Sequence, residues 1–129
     1  MARVHRILMD LFYQAINQHR REAHARGILL LKENLSSAQR AQYEKRGYFD
    51  VVGGETSRRY RIRYGAQMNV HLLDTKGRPV CWLCFMPEGE LVVGDIMLAQ
   101  KLALELFESQ TLKVANTFST DYSLSGPMA

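Results

Sequence analysis

The sequence predicts an α+β domain: a small antiparallel sheet, a meander of three or four strands, flanked by helices and preceded by a long amphipathic helix. Three observations carry this. Apolar residues recur at helical spacing near the N-terminus, the period switches to alternation from Tyr48, and a second helical stripe follows Asp95. The 129 residues, 47% hydrophobic and 23% charged, have the size and composition of one ordinary globular domain.

The first element rests on Val4, Ile7, Leu8, Leu11, Phe12, Ala15 and Ile16, which repeat at steps of three and four and form one apolar helix face. The pattern extends through Glu22 and Ala25 to about Glu33, although Gly27 costs about 1 kcal/mol relative to alanine. An unbroken helix of this length would measure about 45 Å, longer than a domain of this size is wide. Either it bends near Gly27, or its first half projects and packs on something else. In the second case Val4, Ile7, Leu8, Leu11, Phe12 and Ile16 form the interface of a homo-oligomer or a docking face for a partner protein.

Ser36 and Gln39 have capping-box spacing, and Gly47 follows Lys45 and Arg46, so a short helix is expected from Ser37 to Arg46. Tyr48 to Val52 reads as a strand closed by Gly53 and Gly54. Arg58 to Tyr64 alternates, with Tyr60, Ile62 and Tyr64 on one face and Arg59, Arg61 and Arg63 on the other. Asn69 to Asp74 and Pro79 to Met86 form a hairpin around Thr75-Lys76-Gly77-Arg78. The run Val80 to Met86 is apolar on both faces, which places it inside the sheet or under a helix. Asp95 is expected to cap a last helix running to about Ser109 or further, with Ala99, Leu102, Ala103, Leu106 and Phe107 as its core stripe. The organisation is therefore residues 1–34 as the amphipathic helix, 35–116 as the α+β domain, and 117–129 as a loosely ordered, aperiodic tail.

Charge is unevenly distributed. Residues 1–64 hold 13 Lys and Arg against 6 Asp and Glu, whereas residues 65–129 hold 4 against 7. Such asymmetry fits a basic face for an anionic partner. Its sharpest feature is the ladder Arg59, Arg61 and Arg63, whose side chains stand about 7 Å apart along the strand, near the phosphate spacing of one nucleic-acid strand. The alternative is a solvated face paired across strands with acids such as Asp74 or Glu55. A second basic run, His19, Arg20, Arg21, His24 and Arg26, lies on the first helix. It is a wet helix face unless Arg20 and Arg21 join the ladder's side.

Cys81-Trp82-Leu83-Cys84 has Cys-x-x-Cys spacing, but a zinc site needs about four ligands and the chain has only these two cysteines. Redox pairs open helices, whereas this one sits in a strand, where an odd separation sends the side chains to opposite faces. Two reduced cysteines acting as small apolar residues are expected, with no metal and no cofactor. The sequence offers no glycine-rich phosphate loop ahead of a helix, no Gly-x-Ser-x-Gly and no His-Glu-x-x-His. Asp50, Glu55, Asp74 and Asp95 lie near loop ends without metal-ligand spacing. No catalytic set is assembled, and a non-enzymatic role is expected.

No apolar run approaches the roughly 18 residues of a membrane helix. Asp10 and the polar run from Asn17 to Arg21 interrupt any signal-peptide core, so a cytoplasmic protein without membrane contact is expected.

The segment from Tyr48 to Asn116 resembles short hypothetical proteins of bacteria and their phages. The resemblance rests on Arg59-Tyr60-Arg61-Ile62, Asn69-Val70, Cys84 with Pro87, and Asp95 followed by Leu98-Ala99-Gln100-Lys101-Leu102. It implies a bacterial or phage setting and no particular activity. The order helix, meander, helix is also similar to the double-stranded-RNA-binding domain. That family opens its second helix with a lysine cluster, where this chain has Gly94-Asp95-Ile96-Met97, and its Gly-Pro-x-His loop has no counterpart here. The leading expectation is a binding module that contacts DNA or RNA phosphates through Arg59, Arg61 and Arg63, with help from Arg20 and Arg21. The second is an assembly or interaction subunit that oligomerises through its first helix.

Overall fold

The computed structural model describes residues 2–119. Four helices and a five-stranded antiparallel sheet follow in the order α1 (Ala2–Glu33), α2 (Ser37–Arg46), β1 (Tyr48–Val52), β2 (Arg59–Arg63), β3 (Val70–Leu73), β4 (Pro79–Cys84), α3 (Val93–Leu106), α4 (Glu108–Val114) and β5 (Asn116–Ser119). The strands lie in sequence order, a simple meander.

Local chemistry explains α2 and the hairpins. Ser36 Oγ accepts from the Gln39 amide at 3.1 Å, and Gln39 Oε1 accepts from the Ser36 amide at 3.0 Å, the reciprocal box that starts α2. Gly47 ends it in the left-handed region, φ 75°. In the β3–β4 turn, Asp74 Oδ1 accepts from the amides of Lys76 and Arg78, both at 2.9 Å.

One sheet face holds the core. Phe49, Val51, Tyr60, Ile62, Val70 and Leu83 pack there with Leu31 of α1, Leu35, and Met97 and Leu104 of α3. All strand positions in this cluster have the same parity, so the sheet is helix-covered on one side only.

Three expectations change. First, the sheet has five strands, not three or four: Asn116–Ser119, expected mostly as tail, pairs along β4 with Trp82 opposite Phe118. Pairing satisfies the backbone groups that β4 would otherwise leave at an open edge. That strand's four residues are too few to register as alternation in the sequence. The rest of the expected tail, 120–129, lies outside the described residues. Second, Asp95 falls in the first turn of α3 instead of capping it, and Val92 precedes the helix without a side-chain cap. The helix stops at Leu106, and Phe107 (φ −138°, ψ 46°) turns the chain into α4. Third, the buried stripe of α3 is Ile96, Met97, Gln100, Lys101 and Leu104, whereas Leu102, Leu106 and Phe107 are exposed. α3 is apolar nearly all round, so periodicity alone did not select its face. On the buried side Gln100 exchanges hydrogen bonds with Asn69 at 2.8 and 3.0 Å, and Lys101 pairs with Glu105 of the same helix at 2.7 Å.

The long helix does not break at Gly27. All 32 residues of α1 are one helix, and Gly27 is buried where α1 crosses α3 at Gly94. The first half projects. Val4, Ile7, Leu8, Leu11 and Phe12 are all exposed, and Gly27 is the first fully buried residue of α1. No helix of the described residues is long and apolar enough to cross a membrane.

Candidate nucleic-acid interface

The uncovered face of the sheet is built by register. Asp50 on β1 stands opposite Arg61 on β2, Arg61 opposite His71 on β3, His71 opposite Trp82 on β4, and Trp82 opposite Phe118 on β5. One row of side chains thus runs across all five strands, acid and base at one end and aromatic rings at the other. Arg59 and Arg63 flank Arg61 on the same face, and Tyr48 stands opposite Arg63.

The arginines are not equivalent. Arg61 donates to both carboxylate oxygens of Asp50, Nε to Oδ1 at 2.8 Å and Nη2 to Oδ2 at 3.1 Å, and its side chain is only 15% exposed. Arg59 reaches the same Oδ2 from Nη2 at 3.2 Å but keeps 45% of its side chain exposed. Arg63 is exposed, and its guanidinium lies over the Tyr48 ring, 5.0 Å from the centroid, with that of Arg61 at 4.2 Å. Burial raises the carboxyl pKa of Asp50, but hydrogen bonds from Arg61, Gln42 and Arg59 outweigh it and hold it below the usual range. Two guanidiniums share this carboxylate and a third lies over Tyr48, so the surface stays positive.

His71 is 3% exposed, and neither ring nitrogen has a hydrogen-bond partner. Its ring lies 4.1 Å from that of Trp82, inclined by 64°. Burial, then the charges of Arg63 and Arg61, hold its pKa below the ordinary value and favour the neutral imidazole. Trp82 and Tyr48 are half-buried, and Phe118 is 40% exposed.

The expected partners of the ladder were Asp74 or Glu55, but the acid opposite it is Asp50. Asp74 pairs with Arg78 in its own turn, and Glu55 accepts from Ser109. Asp50, Glu55, Asp74 and Asp95 do not converge, and no three metal-ligating side chains gather among the described residues. Arg20 and Arg21 do not join the ladder. They line a shallow groove with His24, Leu91, Val92 and Val93, on a helix that packs against α3 on the covered side of the sheet. Cys81 packs against the core and Cys84 takes the opposite face of β4, both as free thiols. Burial pushes the Cys81 thiol pKa up, away from a reactive thiolate.

Two functional features were not anticipated. The aromatic half of the face was invisible because the parity of Trp82 and Phe118 relative to the arginines depends on a register that only pairing defines. The other is Glu108, fully buried at the start of α4. Its carboxylate accepts from the Glu55 amide at 3.0 Å, the Thr56 amide at 2.8 Å, Thr56 Oγ1 at 2.5 Å and the Tyr60 hydroxyl at 2.6 Å. A side chain on Gly53 would overlap this carboxylate, so glycine leaves the room it occupies. Burial raises its pKa, but the donors from Thr56, Tyr60 and Glu55 overcome that and bring it to about 2. This anchor fixes the β1–β2 turn, and with it the strand that carries the ladder.

Comparison with family models, with curated proteins and with solved structures finds no match to this chain.

Proposed function

We propose that the chain is a non-enzymatic binding module that contacts the phosphates of DNA or RNA through the uncovered sheet face. What supports the reading is the row from Asp50 to Phe118 together with the exposed guanidiniums of Arg59 and Arg63. Arg59 and Arg63 supply the phosphate contacts. Arg61, held by Asp50, keeps β1 and β2 aligned and contributes charge from beneath. Gly77 brings the β3–β4 turn, with Lys76 and Arg78, close to Arg59, since a Cβ there would lie 3.7 Å from Arg59 Nη2. The basic area therefore extends past the strand.

The test is binding of a generic DNA or RNA oligonucleotide by the parent and by the double variant Arg59→Glu, Arg63→Glu. The parent should bind at about 50 mM salt and weaken steeply as salt rises, because each neutralised phosphate releases counterions. The double variant should lose binding and stay folded, since exposed changes usually cost under about 0.5 kcal/mol. A parent that binds no nucleic acid at low salt sinks the reading.

A second reading is self-assembly or partner binding through α1, favoured by the exposed stripe Val4, Ile7, Leu8, Leu11 and Phe12. Apolar surface of this extent on one helix marks an interaction site more often than a wet face. The two readings are compatible, because the stripe and the sheet face are separate.

A further inference from the structure

The uncovered face holds more than charge, and the remainder bears on which nucleic acid it takes. We infer that the face selects single strands, stacking unpaired bases on Trp82 and Phe118 while Arg59 and Arg63 hold the backbone. This deepens the proposed phosphate-binding reading and rests on it.

Three observations point the same way. Trp82 and Phe118 are direct cross-strand neighbours on the outer face, which places two aromatic residues side by side at the β4–β5 edge. Phe118 keeps 40% of its surface exposed on this face. Neighbouring strands lie about 4.8 Å apart, so Trp82 stands roughly 10 Å from the β2 arginines and Phe118 roughly 14 Å. That is the reach of one or two nucleotides.

A duplex cannot use this arrangement. Its bases are already stacked inward, so on a flat sheet face it presents phosphate and sugar alone and leaves Trp82 and Phe118 against water. An unpaired strand offers both phosphate and the faces of its bases, and aromatic platforms take such bases with little regard to sequence. An acidic peptide would match the charge and leave the rings unused.

Trp82 is the only tryptophan in the chain, so its fluorescence reports on the proposed step directly. The experiment titrates the full chain with a 20-nucleotide oligothymidine, a duplex of equal length and poly-glutamate, following Trp82 emission and, separately, the anisotropy of labelled ligand. Saturable quenching by the single strand is expected, with affinity at least about tenfold above that for the duplex. Phe118→Ala should lower single-strand affinity by about tenfold and leave duplex binding unchanged, while Trp82→Phe, which keeps a ring, should bind nearly as the parent does. Circular dichroism checks that both variants fold. Equal binding of single strand and duplex, with Trp82 emission unmoved and Phe118→Ala without effect, overturns the stacking inference and leaves the phosphate reading standing if Arg59→Glu, Arg63→Glu abolishes both. Poly-glutamate binding as tight as oligothymidine overturns it as well, reducing the face to a general polyanion surface. No binding of any nucleic acid removes both.

Discussion

A side chain on Gly94 would sit inside the carbonyl of Gly27, and its Cβ would lie 2.6 Å from the amide nitrogen of Ile28. Helices α1 and α3 therefore cross backbone to backbone, and both partners of the crossing are glycine. The contact lets one half of α1 join the core through Leu31 while the other half projects. The obstacle at Gly94 is main chain, which cannot rotate away. At Gly27 it is the Val92 side chain. Gly94→Ala should thus be the more damaging change, costing about 3 kcal/mol through overpacking. Chemical denaturation of the two alanine variants measures the order, and an unchanged midpoint for Gly94→Ala contradicts the crossing.

Acid should destabilise the fold in two stages. His71 is held below its ordinary pKa of 6.5 in the folded chain. The unfolded chain takes up this proton first, and stability falls as pH drops below that value. Glu108, lowered from 4.5 to about 2, contributes stability that is complete above its unfolded pKa and is lost as pH falls toward 2. Glu108→Gln should cost on the order of 3 kcal/mol at neutral pH, because an amide cannot accept from all the donors aimed at the carboxylate. It should also flatten the loss below about pH 4.5. Urea denaturation at a series of pH values, parent against variant, reads both effects, and parallel curves for the two proteins would remove Glu108 from this role.

The stripe on α1 can be broken without touching the core. Leu8 and Leu11 are 61% and 56% exposed, so changing both to Glu should alter chain stability by less than about 1 kcal/mol. If the stripe mediates assembly, light scattering should find the parent in a larger species and the variant monomeric, with the same far-ultraviolet circular dichroism. A parent already monomeric at high concentration leaves the assembly reading without support. Loss of fold in the variant would mean that α1 is held by contacts other than those of its C-terminal half.

Much of the architecture was set by local chemistry. The Ser36–Gln39 box and Gly47 gave α2 its ends, alternation from Arg58 to Tyr64 put the arginines opposite Tyr60 and Ile62, and the apolar β4 was rightly placed inside the sheet. These features depend on neighbours a few residues away, so they are written in short windows of sequence. The stripe from Val4 to Phe12 belongs with them, since an apolar face is legible whether or not anything covers it.

Tertiary structure decided the rest, because it concerns which of two locally equal choices finds a partner. Periodicity alone leaves α3 free to bury Leu102 and Leu106. It buries Gln100, which Asn69, just ahead of β3, satisfies, while Lys101 takes its partner Glu105 from the same helix. Gly27 read as a weak point, and only the approach of Gly94 makes it a contact. Nothing in the sequence singles out Glu108; folding brings Thr56 and Tyr60, some fifty residues earlier, to its carboxylate. The candidate site divides in the same way. Its arginines follow from the period of one strand, but their neighbours Asp50, His71, Trp82 and Phe118 come from four other strands, and a one-residue slip in register would send any of them to the opposite face.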